Sequence, residues 1–250
     1  MAGPEPEEMY AHVEEEGKRR LSRPPLELAS TSLVAGFDVV FGIVALAIVQ
    51  HELGHVAGSI AFGIAFVFIV VGSSELFTEN FFVPLAAVRR DDRGTWVKLA
   101  ELWTLSPLLN VLGGSILIVV LSSHGVLPEG TGATIVELGR DIDDNGVLTA
   151  FLSAVAAGAL ITLMTWMVEG MREVGVRIAA AWIAGALLAL GSFNHVIVVT
   201  LELIFGERYG ADFGWGDIGT NFVVAAVGNL VGGVLFVTLT RTGQARAGSS

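Results

Sequence analysis

Residues 31–50, 99–121, 146–167 and 218–239 are largely apolar runs, each about as long as a bilayer is thick. Crossing one takes roughly 20 residues in helical form. Lipid offers no water to backbone N–H and C=O groups, so such runs must satisfy them internally and are confined to α-helix. Two further apolar stretches are interrupted. Residues 56–71 and 81–88 flank the polar segment Gly72-Ser73-Ser74-Glu75-Leu76-Phe77-Thr78-Glu79-Asn80. Residues 178–205 carry Gly191-Ser192-Phe193-Asn194-His195. Irregular polar backbone at membrane depth is tolerated only where it is buried in protein or lines a cavity. The fold must provide that cover twice.

Composition agrees. The chain is 53% hydrophobic and 16% charged, with a mean hydropathy of +0.69, against about 25% charged residues in a soluble domain. An all-α membrane protein of the cell (inner) membrane is expected. There is no cysteine, hence no disulfide framework. A net charge of −11 argues against nucleic acid as a partner. Residues 1–28 hold seven Glu and no apolar core, unlike a signal peptide. They read as a cytoplasmic polar tail with a short helix along the membrane surface, followed by a transmembrane domain over 29–240 and a tail over 241–250.

Six crossings put both termini on one side. The two tails, residues 89–98 and residues 169–177 then share a face with twelve of the fourteen Lys and Arg residues. The other face holds Arg140 and Arg208 against nine acids: Glu52, Glu129, Glu137, Asp141, Asp143, Asp144, Glu207, Asp212 and Asp217. Basic residues favour the cytoplasmic side, which places both termini in the cytoplasm.

An internal repeat refines this. Gly72-Ser73 precedes Gly191-Ser192 by 119 residues, and Asn110-Val111-Leu112-Gly113-Gly114 precedes Asn229-Leu230-Val231-Gly232-Gly233 by the same 119. The halves contain three spans each, and an odd number inserts the second half upside down. The expected fold is six transmembrane helices as two inverted three-helix repeats. The second and fifth helices are broken and their breaks face each other, a layout used by channels and transporters. The glycines read first as packing, since small residues let helices approach closely in lipid.

Glu-Leu-Phe-Thr at 75–78, Phe-Asn-His at 193–195 and Gly-Asn-Leu-Val-Gly-Gly at 228–233 together resemble the formate/nitrite transporter family over about residues 32–240. Glu-Leu-Phe-Thr-Glu-Asn is most similar to a less characterised branch of it. The resemblance implies an aquaporin-like protomer, a homopentamer in the lipid bilayer, and one pore per protomer. The substrate it implies is a small monovalent anion such as formate, nitrite or hydrosulfide, or the conjugate weak acid. It also implies two apolar constrictions around a chamber that His195 and Thr78 face, with Leu76 beside Thr78 and with Phe62, Phe66 and Leu188 along the constrictions. Two features depart from the family pattern. Asn194 stands where an acid usually precedes the histidine, and no lysine follows Lys98 to serve an outer vestibule. Neither an enzymatic activity nor a cofactor is implied.

Each candidate also has a plainer reading. His195 could be a packing residue, but an ionisable group at membrane depth is a functional candidate by default. Glu75 and Glu79 read as loop support with Asn80, the carboxylates capping free N–H groups at a helix start. Asp38 has no matching base in a neighbouring span, so it faces a polar interface or carries a proton. His51-Glu52-Leu53-Gly54-His55 matches the His-Glu-x-x-His zinc pattern and raises an alternative, an intramembrane zinc metalloprotease. The Asp-Gly-type third ligand is missing, and the pentad falls at a helix end. A looser metal site of His51, His55 and His124 ranks lower. A water or glycerol channel would need paired Asn-Pro-Ala breaks, and neither interruption has one.

Overall fold

A computed structural model describes residues 4–89, 91–143 and 146–248. Arg90 and Asp144 of the charge count lie outside the described residues. Every regular element among the described residues is helical. In order these are α1 (Pro6–Leu21), α2 (Pro25–Leu53), α3 (His55–Phe62) and α4 (Ile64–Gly72). A 3₁₀ turn (Phe77–Phe81), α5 (Val83–Ala87), α6 (Arg93–Leu121) and α7 (Thr131–Asp143) follow. Then come α8 (Val147–Gly170), α9 (Val174–Leu190), α10 (Val196–Arg208) and α11 (Trp215–Val231), which runs through a π-helical segment (Gly232–Thr238) into α12 (Leu239–Gly248). Five helical runs are long and apolar enough to cross a membrane: Pro25–Leu53, His55–Gly72, Arg93–Leu121, Val147–Gly170 and Trp215–Ala245. The remaining expected span, residues 178–205, divides between α9 and α10.

The structure differs from the sequence reading in three elements. First, residues 6–21 form the short helix expected in the N-terminal tail, and that helix packs on the bundle. Met9 and Val13, four residues apart on one face of α1, are buried against Phe82, Val83 and Trp166. Second, the polar stretch 122–145 contains α7. Ile135, Leu138 and Ile142 form an apolar stripe at helical spacing that packs on the main core. The intervening Gly and acidic residues hid that stripe. Third, helix continues past residue 239 as α12, which packs against α1.

Two helix pairs carry much of the packing, α2 with α6 and α8 with α11. Both depend on a glycine. A Cβ on Gly36 would lie 2.1 Å from the Asn110 carbonyl oxygen, and one on Gly158 would lie 2.1 Å from that of Asn229. No side chain can be accommodated at those distances unless the helices separate. These two close approaches bring Asn110 and Asn229 against the breaks. Gly36→Ala and Gly158→Ala should each lower stability in detergent by about 1–3 kcal/mol, the usual cost of overpacking. Gly175→Ala, where nothing lies within 4 Å of the added carbon, should be silent. Equal melting temperatures for all three would refute the close-approach argument.

Candidate functional site

The two breaks share one backbone pattern. α4 ends at Gly72 and Ser73 turns left-handed, with φ 55°. α9 ends at Leu190 and Ser192 does the same, with φ 46°. They are the only non-glycine residues at positive φ among the described residues. Each costs about 1–2 kcal/mol, a strain that clusters at functional sites. In each Gly-Ser pair the serine, not the glycine, takes the left-handed conformation. Ser74 N–H then donates to Ile69 O at 3.0 Å and Phe193 N–H to Leu188 O at 3.1 Å, the same helix-ending bond 119 residues apart.

Beyond the turn, backbone groups have left the helix and need partners. Asparagine supplies them in both halves. Asn110 Nδ2 donates to Ser32 O at 2.8 Å and Glu75 O at 2.9 Å, while its Oδ1 accepts from Phe77 N–H at 3.0 Å. Asn229 Nδ2 donates to Ala154 O at 2.8 Å and Asn194 O at 2.9 Å, and its Oδ1 accepts from Val196 N–H at 2.9 Å. One fully buried amide thus ties each break to a neighbouring helix. The sequence marked these asparagines only as part of a glycine motif.

Thr78 and His195, one from each break, meet at the centre of this arrangement. Thr78 Oγ1 lies 2.7 Å from His195 Nε2, and both residues are fully buried. His195 is also the N-cap of α10, where its Nδ1 accepts from Val198 N–H at 3.3 Å. With Nδ1 accepting, the ring proton of the neutral imidazole sits on Nε2 and donates to Thr78. The Thr78 hydroxyl keeps its own proton free to donate. The Phe66 ring meets the His195 ring edge-on at 6.1 Å, and Phe62 meets Phe66 at 6.1 Å. Leu76 and Leu188 are buried nearby in the same apolar core. Asn194 is turned away from this group. Its Nδ2 donates to Asn221 Oδ1 at 2.8 Å and Ala150 O at 3.3 Å.

Glu75 and Glu79 do not cap helix N–H groups. Their carboxylates pair with arginines from the N-terminal region. Arg20 is 6% exposed. Its guanidinium reaches Glu75 at 3.3 Å, Glu79 at 3.4 Å, the Asn80 amide oxygen at 3.3 Å, Glu169 at 3.0 Å and Glu16 at 2.9 Å. Arg23 also contacts Glu75. Asn80 O accepts from Trp103 Nε1 at 2.9 Å, which fixes the far end of the loop. Asp38, left without a base by the sequence, accepts from the Ser74 hydroxyl at 2.6 Å.

The His51–His55 pentad is divided. α2 ends at Leu53, Gly54 turns with φ 85°, and His55 opens α3. The two imidazoles therefore lie on different helices, and a zincin needs them one turn apart on the same helix. No group of three or more His, Cys, Asp or Glu side chains among the described residues is placed to hold a metal. Glu202, on α10, escaped the sequence reading. It is a buried acid inside an apolar run, and that was the available signal.

Buried breaks from two helical runs, joined through a hydroxyl and an imidazole within an apolar bundle, define a membrane transport protein. The formate/nitrite transporter family profile matches residues 7–242, and the chain belongs to that family. It is a transport protein, not an enzyme. The inner membrane protein YfdC of Escherichia coli K12 is 27% identical over 95% of this chain and 78% of its own. Among solved structures, an FNT family ion channel superposes with a TM-score of 0.80 at 19% identity, covering 93% of this chain and 96% of that one. A pentameric formate channel with formate bound superposes with a TM-score of 0.73 at 20% identity, covering 86% and 95%.

Four variants test this architecture. Asn229→Ala strands the Asn194 carbonyl and the Val196 N–H in the core, and at about 1–3 kcal/mol for each orphaned buried group it should cost about 2–6 kcal/mol. Asn110→Ala should match it, and unfolding in detergent at native stability in either variant would remove the clamp. Arg20→Met leaves Glu75 and Glu79 buried without their shared cation, a loss of about 3–5 kcal/mol. Arg20→Met combined with Glu79→Gln should recover part of it. A double variant no more stable than the single one would show that charge compensation is not what Arg20 provides.

Proposed function

We propose that the chain is a channel or transporter for small monovalent anions or their conjugate weak acids, of the formate, nitrite or hydrosulfide kind. The observation that carries this reading is the buried contact between Thr78 and His195, which joins the two breaks at 2.7 Å within an apolar surround. A bare anion among Phe62, Phe66, Leu76 and Leu188 meets a large desolvation cost. The Thr78 hydroxyl offers it a hydrogen bond there. His195 orients that hydroxyl and, as an imidazole, can share a proton with the anion of a weak acid. The substrate then crosses in neutral form.

The architecture we assign has six crossings in two inverted three-helix repeats, with the second and fifth broken, in an aquaporin-like protomer. The 119-residue offset supports it, since helix-ending bond, left-handed serine and asparagine clamp recur at that spacing. Both termini lie in the cytoplasm, as the Lys and Arg distribution favours. The assembly is a homopentamer in the cell membrane, the state of the solved formate channel.

Liposomes holding the purified protein and assayed with formate, acetate, nitrite and hydrosulfide test the reading. At least one should pass. Thr78→Val should cut its flux about 10–100-fold, the kinetic equivalent of a hydrogen bond to a charged group at about 1.5–3 kcal/mol. His195→Ala should also lose or alter flux, whereas His51→Ala should not. If none of the four crosses in the wild-type protein, the transport assignment fails.

A further inference from the structure

At the mouth away from α1 lies a cavity of about 80 Å³. Glu202 of α10 lines it with Gln50, His55 and Asp141, and Phe62 and Leu188 form part of its wall. Phe62 joins that wall to Phe66, whose ring meets the ring of His195. Glu202 stands seven residues after His195, about 10 Å further along the same helix. The cavity thus neighbours the Thr78–His195 pair without containing it.

Glu202 is 6% exposed and makes no hydrogen bond or ion pair with any described residue. Neither lysine nor arginine lines the cavity. The His55 ring is engaged elsewhere, 3.3 Å from Gln50 Oε1 and 3.4 Å from Leu190 O. A carboxyl buried without a cation or a donor holds its proton, because the ionised form would meet the full desolvation cost. Glu75 and Glu79 are buried as deeply, but both are paired with Arg20. A neutral carboxyl has one O–H to give, and in this wall nothing in the protein takes it. The oxygen of a small oxyanion would. Such a bond to an anion is short and charge-assisted, and it replaces part of the hydration that the ion leaves behind. For packing alone leucine would serve better, since an unpaired polar group is costly to bury.

We infer that protonated Glu202 is a hydrogen-bond donor site for small oxyanions, which holds the substrate at the Phe62–Leu188 wall before it reaches Thr78. The inference rests on the transport reading above and adds a binding station to it.

Infrared difference spectra of the wild type against Glu202→Gln, at neutral pH, should contain the carbonyl band of a protonated carboxylic acid, and formate should shift that band in the wild type. In proteoliposomes Glu202→Leu removes the donor. It should lower formate flux below saturation by about tenfold or more, the equivalent of one hydrogen bond to an anion. Glu202→Gln, whose amide still donates, should recover most of what leucine loses. No carboxylic-acid band in the difference, or a band that formate leaves in place, overturns the inference, and these spectra decide it even if Glu202→Leu does not assemble. Glu202→Leu passing formate as fast as the wild type overturns it too. In each of those cases the channel stands if wild-type vesicles pass formate. A wild type that passes none of formate, acetate, nitrite and hydrosulfide overturns the transport reading and this one with it.

Discussion

A backbone that leaves a helix inside a membrane needs donors and acceptors that neither lipid nor an apolar core provides. In this chain the need falls on two buried side-chain amides. Asn110 and Asn229 each give two hydrogens and one acceptor to a broken segment. Their position is possible only because α2 and α8 present glycine where the asparagine backbones pass. Packing therefore enables the polar contact, and the polar contact holds the loop that carries Thr78 or the cap that carries His195. Without the close helix approach neither amide would reach its partners, and the 2.7 Å contact between the breaks would lose both supports.

The two breaks are alike in backbone but not in what else secures them. The second resumes helix at once, at Val196, and its polar groups are largely served by Asn229, Ser153 and the cap of α10. The first runs through a 3₁₀ turn before α5 and carries two carboxylates. Those carboxylates make it dependent on α1. Arg20 lies on the buried face of α1 with Met9, Val13 and Gly17, and its pairing with Glu75, Glu79 and Glu169 links the N-terminal helix, the loop and the end of α8. Buried ion pairs contribute little net stability compared with apolar replacements but are costly to break. Such a network suits a segment that must keep one conformation.

Much of this was legible in the sequence. Hydropathy marks the spans, polar interruptions mark the breaks, and the offset of 119 pairs them. His195 stood out as an ionisable group inside an apolar run, and Thr78 through the resemblance of its loop to the family's. The partners of Glu75 and Glu79 were not legible: Arg20 is 55 and 59 residues away, and ion pairs at that separation leave no local pattern. The carboxylates were accordingly read as caps, the one role that sequence spacing does describe. α7 was hidden for a different reason. Its apolar stripe is only three residues wide among acids and glycines, and composition outweighed periodicity. The metalloprotease pattern shows the converse error. Five letters matched, but Gly54 breaks the helix that the chemistry requires.

The charges at the two mouths are paired differently. At the α1 end, buried carboxylates and guanidiniums neutralise one another, so the field they present to a passing ion is small and their effect is mechanical. At the other end Glu202 is buried, and neither lysine nor arginine lines its cavity. A structural carboxylate would be expected to acquire a partner, as Glu75 and Glu79 have, because an unmatched one destabilises the fold.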